Sequence, residues 1–157
     1  MTESAEASWA SRNVSEDELA AAVKEAALAG LMEVRAAFAE HELWAWPDGA
    51  GGVQVAIDGI KLGEFWVHEA SWFAFTINHL YPDADTYPHY VRGDLARADG
   101  EALVAPFHTG QTFQEQPAVM VSRSSPKRVS GLSTAARKAF TVISFIQSQK
   151  RVAEESA

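Results

Sequence analysis

The stretch from Trp72 to Pro126 concentrates the side chains with chemistry to offer, holding three of the five histidines and five of the six prolines. It contains no cysteine, and neither does the rest of the chain. Disulfides, thiolate metal sites and thiol nucleophiles are therefore excluded for the chain as written. His68, His79, His89 and His108 with Asp83, Asp85 or Asp94 would supply metal ligands. No two histidines lie at helical i, i+4 spacing, however, and no HExxH string occurs, so structural or solvent-facing histidines are the simpler account. Ser122 or Ser124 beside His108 or His89 would make a serine–histidine pair, but there is no GxSxG elbow, and turn or capping serines explain both. Asp83 and Asp85, after Tyr81-Pro82, would make a pair of carboxylates for acid–base work, but aspartates beside a proline turn already bond the local backbone. The run Gly49–Gly52 lacks the lysine and the helix start of a phosphate loop, and the tryptophans and phenylalanines read first as core.

These side chains need elements to hold them. Residues 1–14 are rich in Ser, Ala and Glu and read as a frayed terminus, with Trp9 as its one anchor. Ser15 to Glu18 has the form of a capping box. Leu19, Val23, Ala27, Leu31, Val34 and Phe38 then recur at helical spacing, which predicts one helix to about Glu40. Val53, Val55 and Ile57 alternate with polar or small residues as in a half-buried strand, and Asp58-Gly59 offers a hairpin turn. Further strands are expected around Phe65–Val67 and within Ser71 through Leu80, where Phe73, Phe75 and Ile77 share a face. Tyr87 to Val91 reads as an edge strand because of Pro88.

Asp94 to Gln116 shows no regular pattern and reads as a long functional loop, followed by a short buried strand at Ala118–Val121. Ser124 to Arg128 is a basic turn. A second amphipathic helix begins near Ser133-Thr134, with Ala136, Ala139, Phe140, Ile143 and Ile146 on one side. The order predicts a single α+β domain over residues 15–149, with flexible termini at 1–14 and 150–157.

The bulk numbers agree with a folded chain of one core: 157 residues, 47% hydrophobic and 22% charged. A net charge of −8 argues against nucleic acid as a partner. With no signal-peptide core and no apolar run of spanning length, the expectation is a soluble, cytoplasmic protein without a membrane partner.

The order of elements, together with Phe75-Thr76-Ile77-Asn78-His79-Leu80-Tyr81-Pro82, resembles the ubiquitin-conjugating enzyme fold. The resemblance covers most of residues 15–148. It implies an N-terminal helix, a four-stranded antiparallel meander with a Tyr-Pro turn after the third strand, a long active-site loop and a C-terminal helix. In that family a motif histidine precedes the catalytic cysteine by about ten positions. Here His108 is followed ten positions later by Ala118, in Gln116-Pro117-Ala118-Val119-Met120.

Ala118 would thus stand where the nucleophile belongs, either as a replaced cysteine or as the natural residue of an inactive relative. Thr109-Gly110-Gln111 departs from the family's Pro-Asn, which leaves Gln111 or His108 as the donor to an oxyanion. The resemblance is to divergent bacterial members encoded in antiphage defence operons. It implies an activating enzyme and a ubiquitin-like protein as partners, and neither a metal nor a cofactor. With cysteine at 118 the chain would be a transferase that passes the modifier from a thioester to an amine. With alanine it would be a non-catalytic binding module.

Overall fold

The computed structural model describes residues 4–122 and 134–149. Among the described residues three helices precede six strands and a fourth helix follows, in an α+β arrangement: α1 Ala5–Ser11, α2 Glu16–Ala22, α3 Glu25–Ala37, β1 Leu43–Pro47, β2 Val53–Lys61, β3 Ala70–Ile77, β4 His89–Arg92, β5 Phe107–Phe113, β6 Gln116–Val121 and α4 Ala135–Gln147. The strands form one antiparallel sheet in the order β1-β2-β3-β4-β6-β5. The expected four-stranded meander is thus widened by a hairpin, β5–β6, docked on β4.

β5 and its turn fall inside the stretch expected to be a long loop, of which residues 94–106 remain irregular, while β6 covers the short strand expected at Ala118–Val121. FHTGQTF reads as loop because β5 is an edge strand whose Thr109 and Gly110 are exposed. Its register shifts between His108 and Gln111, where Gly110 takes a φ of +77°. Conversely β4, expected at an edge, lies between β3 and β6. Pro88 stops one residue short of the strand, so the ladder loses no donor. Asp58-Gly59 is a bulge within β2, not a hairpin turn. Trp66 makes only an isolated bridge to Arg97, so Phe65–Val67 is not a strand.

The N-cap half of the capping box at Ser15 forms, its hydroxyl accepting from the Glu18 amide at 3.2 Å; the Glu18 carboxylate accepts from that hydroxyl at 3.3 Å instead of from the Ser15 amide. The single helix expected to Glu40 is two, however, because Val23 leaves helical geometry and the Lys24 amide donates to the Gly51 carbonyl at 2.8 Å. α3 and α4 then lie side by side on one face of the sheet. Tyr81 fastens them: its ring fills the space over Gly30, where an added Cβ would stand 2.8 Å from the Tyr81 Cε1. Its hydroxyl accepts from the Ala135 amide at 3.1 Å, which satisfies a donor at the first turn of α4. Phe140 does not join the core face of α4; it is 46% exposed and stacks on Phe38, while Val142 points inward in its place.

Residues 1–14 were expected to fray, yet Ala5–Ser11 is a helix with Trp9 fully buried. Ser4 caps it by accepting from the Ala7 amide. α1 lies on the face of the sheet opposite to α2, α3 and α4, and residues 12–15 carry the chain past the β1 edge from one face to the other. Residues 150–157, the basic turn from Ser124 to Arg128, and Ser133 at the expected helix start lie outside the described residues. No helix among the described residues is long and apolar enough to cross a membrane.

Candidate functional site

Residues directly opposite in an antiparallel ladder share a face, so the register assigns every strand residue to one of two layers. Ala45, Val55, Phe75, His89, Val121 and Phe107 form a row toward α2, α3 and α4. One residue along, Trp44, Ala56, Ala74, Tyr90, Met120 and His108 form a row on the outer face, beneath and beside α1.

The three residues singled out by the resemblance fall together on that outer face. Ala118 and Gln111 are direct cross-strand partners, and His108 sits one row along, opposite Met120. Their surroundings are not those of an open catalytic loop. Ala118 stands inside β6, only 2% exposed, in a cluster with Trp9, Trp44, Trp46, Trp72 and Phe113. Gln111 turns its amide to the Thr109 carbonyl of its own strand, at 3.3 Å.

The other candidates are dispersed. Among the described residues no group of three or more His, Asp or Glu side chains is placed to hold a metal. His68 bonds the Asp94 carbonyl at 2.9 Å, and the Asp94 carboxylate is gripped by Arg92 at 2.6 and 3.0 Å, which holds it below the usual carboxylate range. Ser122 meets the Tyr87 hydroxyl at 2.5 Å instead of an imidazole. Ser124 lies outside the described residues. Asp83 and Asp85 do not form a carboxylate pair of the acid–base kind, because Asp85 is taken by Lys138 at 2.8 Å across the start of α4.

His89 is the surprise of the inner layer. It is fully buried between the Phe73 and Phe75 rings, with centroids 5.2 and 5.3 Å away, and neither ring nitrogen has a hydrogen-bond partner among the described residues. Burial, helped by the nearby Lys138 ammonium, drives its pKa down to about 3 against a smaller opposing pull from Asp85. It is therefore a neutral imidazole between two phenylalanine rings at ordinary pH.

The outer layer was legible only as generic aromatic core. Its organising residue, Trp9, carried a signal that composition hid: Ser4 is an N-cap residue and Arg12 follows three positions after the indole. On the open side of this layer Tyr90 is half-buried, and desolvation pushes its phenol up, so it remains a neutral donor. Comparison with protein-family models, curated proteins and solved structures found no match to this chain.

Proposed function

We propose that this chain is a non-catalytic protein-interaction domain of ubiquitin-conjugating-like architecture, binding a ubiquitin-like protein or its activating enzyme without carrying a thioester. The resemblance is supported by the order of elements: helix, meander, the Tyr81-Pro82 turn after β3, Pro88 before β4, the hairpin bearing His108 and Ala118, and a closing helix. The choice of binder over transferase rests on one observation, the burial of Ala118. A thioester-forming thiolate must be reached by a partner's activated carboxyl terminus and needs a partly exposed, donor-rich setting. Position 118 instead faces an apolar aromatic layer sealed by α1, which would raise a thiol's pKa and bar access.

The test is Ala118→Cys in the full chain, incubated with a bacterial activating enzyme, its ubiquitin-like protein and ATP. The expected result is no thiol-sensitive adduct on a non-reducing gel while the activating enzyme is itself charged. Calorimetry should show the wild-type chain and the variant binding one of the two proteins equally. An adduct would restore the transferase reading, and a lack of binding to both proteins would remove the ubiquitin-related reading altogether.

A further inference from the structure

The outer face of the sheet is hollow. The β5–β6 turn curls back over it until the Gln114 side-chain amide donates to the Gln54 side-chain carbonyl on β2. Phe113 thereby comes within 6.4 Å of Trp46, although β5 and β1 are opposite edges of the sheet. One side chain from outside the sheet fills the hollow. The Trp9 indole is surrounded by Trp72 at 4.9 Å, Trp44 and Trp46 at 5.7 Å and Phe113 at 6.1 Å between ring centroids, three of them edge-on. Its N–H donates to the Gln114 carbonyl at 3.3 Å. Ala56, Ala74 and Ala118 make a floor of small residues that leaves the depth for an indole.

What fills this cage is tied to the rest of the fold chiefly through two residues, Trp9 and the C-cap Arg12, whose carbonyl accepts from the Trp46 indole N–H at 3.3 Å. α1 has seven residues, Trp9 is its only buried one, and its backbone hydrogen bonds run within the helix itself. A helix of that length does not persist alone in water, so its folding and its docking are one event. The cage walls belong to the sheet, and the inner core is a separate cluster, the two being bridged by Val14.

We infer that the cage is a docking site for a tryptophan-bearing helical segment of a partner protein, filled in cis by α1 as a plug. The chemistry of the segment is read from the plug. Three residues after the indole, the Arg12 guanidinium donates to the Gln114 side-chain and main-chain oxygens at 3.0 and 3.1 Å, stands 3.7 Å from the Glu115 carboxylate and lies 5.8 Å from the Trp46 ring centre. The competing segment therefore carries an indole followed at the third position by a cation, and the net charge of −8 draws basic segments toward it. Because the plug is tethered at an effective concentration of about millimolar, such a segment binds the intact chain only when it outcompetes α1. This inference does not rest on the ubiquitin-related reading.

The experiment uses the full chain with Trp9→Ala and a fluorescein-labelled peptide of residues 1–14, read by anisotropy. The Trp9→Ala chain should bind the peptide at least about tenfold more tightly than the wild-type chain does, and a peptide itself carrying Trp9→Ala should not bind. A Trp9→Ala chain with a native circular-dichroism spectrum that ignores the peptide, or takes both peptides alike, overturns the inference. Should that variant not fold, hydrogen exchange in an Arg12→Ala chain decides: amides 5–11 should exchange faster than in wild type while β3 and β6 keep their protection. If amides 5–11 exchange only with global unfolding, α1 is no plug. A wild-type chain that dimerises with new protection of amides 5–11 assigns the cage to a second copy and overturns the partner assignment.

Discussion

Two rows of side chains cross the same six strands one residue apart, and they are sealed in different ways. The inner row, Ala45–Val55–Phe75–His89–Val121–Phe107, lies under three helices and is buried throughout. The outer row, Trp44–Ala56–Ala74–Tyr90–Met120–His108, is closed at the β1 side by α1 and half-open from Tyr90 to His108. The inner layer is aliphatic and phenylalanine-rich, made of side chains that pack in many directions. The outer layer holds four of the five tryptophans, rigid side chains with a polar handle, the kind enriched where one protein meets another. One layer makes the fold, and the other has surface to spare.

Truncation should separate them first by size. Phe75→Ala removes a fully buried ring from the inner row and should cost about 3–5 kcal/mol by urea unfolding. Trp9 is equally buried, yet Trp9→Ala should cost less than about 2 kcal/mol, because a short helix can leave instead of framing a cavity. Equal losses would erase the distinction between the layers.

The inner row's one polar member gives a pH signature. His89 has its folded pKa lowered to about 3, below the unfolded value of 6.5. Below about pH 6.5 the unfolded chain takes up a proton that the folded chain refuses, so stability falls with falling pH until the folded group titrates near pH 3. One proton gives a slope of about 1.4 kcal/mol per pH unit, hence about 2 kcal/mol between pH 6.5 and 5. That window lies above the range in which carboxylates such as Asp94 titrate. His89→Leu should flatten the slope, and urea midpoints across the window will show whether it does.

Gly30→Ala is the smallest perturbation of the inner side. Alanine favours helix by about 1 kcal/mol over glycine, but its Cβ meets the Tyr81 ring at 2.8 Å, and that ring is held by its bond to Ala135. Overpacking of about 1–3 kcal/mol should prevail, leaving a net loss of about 1 kcal/mol. Adding Tyr81→Ala should turn the glycine change stabilising.

The inner layer was the more legible in the sequence, for a physical reason. Leu19, Leu31 and Val34 recur at helical spacing, and Phe73, Phe75 and Ile77 alternate, because each element must bury one stripe. The outer layer broke that logic. Ser71 to Phe75 is buried on both faces, so β3 shows a continuous apolar run instead of an alternation. α1 needs only one buried residue, which leaves six small or polar ones that read as a frayed end. β5 is an edge strand with a bulge, so its sequence looks like loop. The break after Ala22 has no glycine or proline to announce it, since it is made by a tertiary bond to Gly51. Of the candidate site, the sequence put His108, Gln111 and Ala118 in one neighbourhood, and the register does the same. The depth of Ala118 was not readable, because it depends on a helix more than a hundred residues away in sequence.

The account turns on whether position 118 is sealed, and thiol reactivity measures that without any partner. Ala118→Cys in the full native chain should react with a soluble aromatic disulfide at least roughly tenfold more slowly than a Thr109→Cys control on the exposed edge of β5, because the reagent must wait for α1 to open. Adding Trp9→Ala to the Ala118→Cys chain should restore most of the lost rate. Equal reactivity at 118 and 109 in the native chain would contradict the sealed outer layer and return position 118 to the candidates for an active site.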